Sequence, residues 1–177
     1  MMLLTEFGDR TNKADADFLA VGNAIADEYG RFDSRSESNI ITLLPKAQKE
    51  ARIFLKLCAD AGKDVRIISG IRTYEEQNAL YALGRTETGR IVTNAKGGQS
   101  NHNFGIAWDI GIFDDGSYSV NNNEYIALAN MILKQMNLIE WDGNWHSIKD
   151  YPHYQMKAVS EDVSRIRSLF EKGEVYV

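Results

Sequence analysis

Between Ile106 and Phe113 the chain alternates as a half-buried strand does. Successive strand side chains point to opposite faces. Ile106, Trp108, Ile110 and Ile112 therefore share an apolar face, while Ala107, Asp109 and Gly111 share the other. The small residues beside Asp109 are expected to leave open space next to its carboxylate. Burying a charge without a partner is expensive, so a cationic group is expected over Asp109.

Elsewhere the apolar spacing is helical. Residues 13–29 put Phe18, Gly22, Ile25 and Tyr29 on one side, and Gly30 stops the run. Residues 31–39 are polar and Ser-rich and read as a connector. Pro45 suits the first turn of a helix to about Ala61, with Ala47, Ala51, Phe54, Leu55 and Cys58 as its buried stripe. Val65–Ser69 reads as a short strand. Thr73 and Glu76 form a capping-box pattern that opens a helix through about Leu83. From Gly84 to Gln99 the chain is a polar, glycine-punctuated loop, with Ile91-Val-Thr93 as a candidate short strand. Loops this long inside a domain are often functional, and a flap over a cleft and a plain surface excursion fit equally. Asp114-Asp115-Gly116 signals a turn, and its spacing does not match a calcium-binding helix-loop-helix. Asn123 is expected to cap a helix through about Met136, with Tyr125, Leu128, Ala129, Ile132 and Met136 inward. A strand at Leu138–Trp141, a tight turn at Asp142-Gly143-Asn144 and an extended Tyr151–Met156 follow. Ser160, Glu161 and Asp162 open a last helix ending near Gly173.

This mixed order, with two neighbouring strands close enough to pair antiparallel, predicts an α+β fold with a small, mostly antiparallel sheet. A length of 177 residues fits one domain. Within it, residues 1–37 are read as a helix and connector, 38–158 as the catalytic unit, and 159–177 as a packed C-terminal helix.

The formal charge of −5 gives no electrostatic footprint for nucleic acid. No apolar run approaches the roughly 20 residues a membrane helix needs. The first residues lack the basic start and long apolar centre of a signal peptide, so a cytoplasmic product is expected, reaching any outside substrate by separate release. The one cysteine, Cys58, rules out an intrachain disulfide and any site built from several thiolates.

That leaves histidine and carboxylate for metal chemistry. His102 and Asp109 lie seven residues apart. One unbroken strand would put them on opposite faces, whereas a turn through Asn103-Phe104-Gly105 brings them together. Pro152 biases Tyr151 towards an extended conformation, so His153 starts or edges a strand, with Asp150 in the turn before it. Two imidazoles and a carboxylate suit zinc with an open fourth position. A satisfied core aspartate and a surface histidine fit the same residues.

The ordered pattern Ser-x-His-x-x-Gly-x-Ala-x-Asp at residues 100–109, then Asp-x-x-His at 150–153, resembles the zinc D,D-carboxypeptidases and L-alanyl-D-glutamate endopeptidases that cut peptidoglycan peptides. Ser69-Gly70-Ile-Arg72-Thr with Gln77, and Glu140-Trp141, add to the resemblance. Trp145 and the run from Asp150 to Gln155 look most like the endopeptidase branch, in which phenylalanine commonly stands where this chain has Tyr154. The resemblance implies one zinc per chain on His102, Asp109 and His153, in a Hedgehog-like D,D-peptidase fold, acting as a monomer on peptidoglycan peptides. It implies Asp150 as the proton shuttle, with Glu140 as the rival carboxylate, and Arg72 at the substrate and the oxyanion. Ser100 would bind a substrate carboxylate, and Gln77 would act beside it, holding Arg72 or Ser100. His146 falls outside the ligand pattern. L-Ala-D-Glu cleavage is favoured over removal of a terminal D-Ala. The other class of reading is a non-catalytic zinc-containing wall-binding module, and the presence of Asp150 counts against it.

Overall fold

The alternating run around Asp109 becomes strand β2 (Ala107–Asp114), on which the sheet is built. The computed structural model describes residues 12–144, 149–158 and 162–177. Trp145, His146, Ser160 and Glu161 lie outside them. β1 (Asp64–Ser69) pairs with one side of β2 and β5 (His153–Met156) with the other. β4 (Ile139–Trp141) lies beyond β5, and the short β3 (Ser117–Tyr118) folds back on the end of β2. The order is β1-β2-β5-β4, and every pairing is antiparallel. The expected α+β class is the observed one.

The apolar face of β2 makes the core. Trp108 and Ile110 are fully buried against α3 (Pro45–Asp60), whose Ala47, Ala51, Phe54, Leu55 and Cys58 stripe is buried as its spacing predicts. Phe54 meets the Tyr154 ring edge-on at 4.7 Å and the Trp108 ring at 6.5 Å. The helix α5 (Asn122–Ile132) adds Tyr125, Leu128, Ala129 and Ile132. Its cap is Asn121 rather than Asn123, and it ends at Ile132 rather than Met136. Asn121 accepts from the Asn123 N–H, and Met136 is buried from outside the helix.

The expected connector at 31–39 contains a helix, α2 (Ser34–Ile40), after α1 (Asn12–Tyr29). Asp33 caps it by accepting from the N–H groups of Arg35 and Ser36. Its polar sequence is held by tertiary contacts. Ser36 Oγ accepts the Ile67 N–H at 2.9 Å, and Glu37 takes both terminal nitrogens of buried Arg52 at 2.7 and 2.8 Å. α2 thus runs through the boundary expected after residue 37 and covers β1.

Ile91 and Val92 form no strand and are exposed. The loop around them is tied down by Arg85, which donates to Tyr81 O, Thr93 O and Asn94 Oδ1. α4 (Tyr74–Ala82) carries the expected Thr73/Glu76 capping box. Asp162 caps α6 (Val163–Glu171), whose Phe170 packs against Phe104, and Tyr176 donates its hydroxyl to Phe104 O at 2.7 Å. Among the described residues no helix is long and apolar enough to cross a membrane.

Tyr154 is fully buried and its hydroxyl has no hydrogen-bond partner among the described residues. A buried, unsatisfied polar group costs about 1–3 kcal/mol. Tyr154→Phe should therefore raise the unfolding free energy by about 1 kcal/mol. Urea denaturation measures it, and a clear loss of stability would show that the hydroxyl is engaged.

Candidate metal centre

Three elements meet at the polar face of β2. Asp109 pairs across the sheet with His153 at the start of β5, and with Ser69 at the end of β1. Directly opposed residues share a face, so the sheet register itself puts the imidazole beside the carboxylate. His102 arrives from the 3₁₀ turn Asn101–Phe104, and Gly105 at φ +66° swings the chain from that turn into β2. The turn predicted from the sequence is what unites His102 with Asp109.

The distances are short. His102 Nε2 lies 3.2 Å from Asp109 Oδ1 and 3.1 Å from His153 Nδ1, and His153 Nδ1 lies 3.1 Å from the same oxygen. The outer ring nitrogens are spoken for. His102 Nδ1 faces Gly70 O at 2.7 Å, and His153 Nε2 faces Gln155 Oε1 at 3.0 Å. Both partners are acceptors, so each outer nitrogen carries the hydrogen and each inner one presents a lone pair. Gly70 is needed for this approach. A Cβ there would lie 2.5 Å from Thr42 Oγ1 and 2.6 Å from Asn39 O.

Two lone pairs and a carboxylate oxygen at 3.1–3.2 Å repel one another unless a proton or a cation sits among them. A tetrahedral zinc with bonds of about 2.0–2.1 Å separates its ligands by about 3.3 Å. The spacing fits. Two imidazoles with one carboxylate suit zinc and disfavour calcium, which takes oxygen ligands. Cys58 is remote from this chemistry, a core residue whose thiol burial pushes up to about 12.

The cation expected over Asp109 is Arg72. Its Nη2 lies 3.5 Å from Asp109 Oδ2 and 3.3 Å from Ser69 Oγ, and its Nη1 donates to Gln77 Oε1 at 2.9 Å. The Arg72 N–H donates to His102 O, and Asn103 Nδ2 donates to Arg72 O. The arginine and the first histidine are thus locked together through backbone. Gln77 is fully buried. Of the two partners expected for it, Arg72 and Ser100, it holds Arg72. Its Oε1 holds Arg72, and its Nε2 donates to Ala95 O at 2.9 Å, tying the 84–99 loop to the same guanidinium. Ser100 caps the His102 turn.

The open space expected beside Asp109 is filled on the Gly111 side. A Cβ at Gly111 would meet the rings of Phe113 and Tyr118 at 2.9 Å. Asp150 is an exposed residue just before β5. Pro152 O accepts the Ile110 N–H at 3.0 Å and Tyr151 O accepts from Trp141 Nε1 at 2.8 Å, which fixes the segment next to it. The Asp150 carboxylate is within electrostatic reach of Asp109, His153, His102 and Arg72. Loss of solvation and the charge of Asp109 hold its pKa above the ordinary value, against the pull of the cations. Glu140 sits farther along the same face and accepts from Gln155 Nε2.

Gln155 and Asn101 gave no functional expectation, yet both belong to the centre. Gln155 Oε1 accepts from Asn101 Nδ2 at 2.8 Å as well as from His153. The signal for Gln155 was present, because two residues along a strand from His153 is the same face. Asn101 carries no comparable signal.

Residues 93–156 match the family model described as D-alanyl-D-alanine carboxypeptidase. A peptidoglycan L-alanyl-D-glutamate endopeptidase of Bacillus subtilis, CwlK, is 39% identical over 124 residues, which span 64% of this chain and 73% of that protein. The crystal structure of the Serratia marcescens L-Ala D-Glu endopeptidase ChiX is similar with a TM-score of 0.56 and 25% identity, covering 73% of this chain and 92% of that one.

The protonation of the centre makes the metal-free protein sensitive to pH. Burial alone would lower the pKa of His153, but the Asp109 carboxylate outweighs it and raises it from 6.5 to about 9. Burial would raise Asp109, but His102 and His153 hold it well below 3.8. The His153 contribution to stability is therefore complete below about 6.5 and lost as pH rises through about 9. The Asp109 contribution is present above 3.8 and lost as pH falls. The melting temperature of chelator-treated protein should fall between pH 6.5 and about 9, the interval spanned by the His153 shift, and stabilisation by added zinc should grow over the same interval. Scanning calorimetry checks it, and a melting temperature that rises across that window without metal would contradict the assignment.

Proposed function

This chain belongs to the family of zinc D,D-carboxypeptidases and L-alanyl-D-glutamate endopeptidases, and we propose that His102, Asp109 and His153 are its metal ligands. The chain is a zinc metallopeptidase that hydrolyses an amide bond in peptidoglycan stem peptides, with L-Ala-D-Glu as the favoured bond. The observation that carries the ligand assignment is the convergence of three donor atoms at 3.1–3.2 Å with both outer imidazole nitrogens already engaged.

When bound, zinc supplies the Lewis acidity that polarises the scissile carbonyl and activates water. The remaining work falls to the side chains. Asp150 takes the proton of the attacking water and delivers it to the departing amine. A carboxyl pKa shifted upward suits a group that must both accept and return a proton. Arg72 offers donors to the developing oxyanion. Its guanidinium has five N–H groups, and the contacts to Gln77, Ser69 and Asp109 hold the fork in one orientation without using them all. Such preorganised donors are the larger part of transition-state stabilisation in acyl transfer. Ser100, two residues before His102, is assigned to a carboxylate of the substrate. Glu140 is engaged with Gln155, which favours Asp150 as the shuttle.

We take the chain to work as a monomer.

Digestion of defined muropeptides, read by mass spectrometry, tests the reading. Products split between L-Ala and D-Glu are expected, and release of terminal D-Ala alone would move the chain to the carboxypeptidase branch. Asp150→Asn should keep its zinc while turnover falls by about 10²–10⁴-fold. An active Asp150→Asn beside an inactive, zinc-loaded Glu140→Gln would transfer the role to Glu140. Arg72→Lys keeps the charge and loses the fork. Its turnover should fall with zinc content unchanged, and wild-type kinetics would remove Arg72 from the reaction.

A further inference from the structure

We propose that Asp142 is a positioning residue for the metal centre, a carboxylate at ion-pair distance from the outer nitrogen of His153 that strengthens that imidazole as a ligand. The inference rests on His153 being a ligand, as proposed above.

Asp142 opens the 3₁₀ turn Asp142–Asn144 directly after β4 and is 4% exposed. Its Oδ2 lies 3.4 Å from His153 Nε2, while Gln155 Oε1 lies 3.0 Å from the same nitrogen. The N–H goes to Gln155 on β5 itself, and the Asp142 carboxylate, on the turn beyond β4, stands beside the same nitrogen at ion-pair distance. Gln155 Oε1 is divided, because Asn101 also donates to it. Outer partners of this kind fix the tautomer and rotation of a ligand histidine and raise its basicity.

Nothing in the fold itself favours an aspartate at this place. Its Oδ1 is buried with no hydrogen-bond partner among the described residues. Burial and then the like charges of Asp150, Glu140 and Asp109 weigh against its carboxylate, while the attraction of His153 favours it. Buried carboxylates without full compensation destabilise a fold. The four carboxylates Asp109, Glu140, Asp142 and Asp150 have Arg72 nearby as a cation. A divalent ion on the inner side of His153 supplies the missing positive charge. Asp142 is thus expected to contribute more to metal affinity than to the stability of the metal-free protein.

Those unequal contributions make the test. Zinc affinity is measured by competition with a chromophoric chelator, and thermal unfolding is measured on the chelator-treated protein, for wild type, Asp142→Asn and Asp142→Ala. Zinc binding should weaken by about 10–100-fold in both variants, with metal-free melting temperatures close to wild type. In a His153→Ala background, Asp142→Asn should leave the residual zinc affinity unmoved. Unchanged affinity in the single variants would overturn the inference, as would affinity and metal-free stability falling together, the pattern of a purely structural residue. If wild type itself binds no zinc, the ligand assignment falls and Asp142 falls with it.

Discussion

The sheet depends on how it accommodates one carboxylate. Asp109 sits on the central strand with β1 on one side and β5 on the other, where an unpaired charge would be untenable. Its opposite-strand neighbour is His153, Gly105 delivers His102, and the β1 end delivers Arg72. Each of these arrives on a different element, so the charge balance at Asp109 couples the pairing of three strands to one turn. The left-handed Gly105 and the close-packed Gly70 are the two backbone positions without which the histidine could not reach.

The parts of this arrangement written locally were legible in the sequence. The alternation of β2, the stripe of α3 and the Thr73/Glu76 box each depend on residues within one element, and each appears as expected. The ordered histidines and Asp109 were also legible, because their spacing constrains how they meet. What was misread depends on partners distant in sequence. α2 looks like a connector because its stabilising contacts are to Ile67 and Arg52, not within itself. The expected strand at 91–93 is absent because the 84–99 loop is held instead by distant partners, among them Gln77 through Ala95 O. Gly111 suggested open space, and the hairpin through β3 folds Phe113 and Tyr118 over it.

The centre also shows where stability is given up. Asp142 and the hydroxyl of Tyr154 are both buried polar groups without full satisfaction, but they differ in setting. Tyr154 lies in the core between Phe54 and Trp141, away from the ligands' donor atoms. Asp142 leans on a ligand histidine. Local rules broken beside a site point to function, whereas the same breach in a core is a plain cost.

Zinc K-edge X-ray absorption on protein loaded with one equivalent of zinc tests the central claim most directly. The account predicts a four-coordinate ion with two imidazoles and two oxygen donors, one from Asp109 and one from solvent, at about 2.0–2.1 Å. His153→Ala should remove the back-scattering of one imidazole. A spectrum with a sulfur ligand, or one that His153→Ala leaves unchanged, would contradict the centre described.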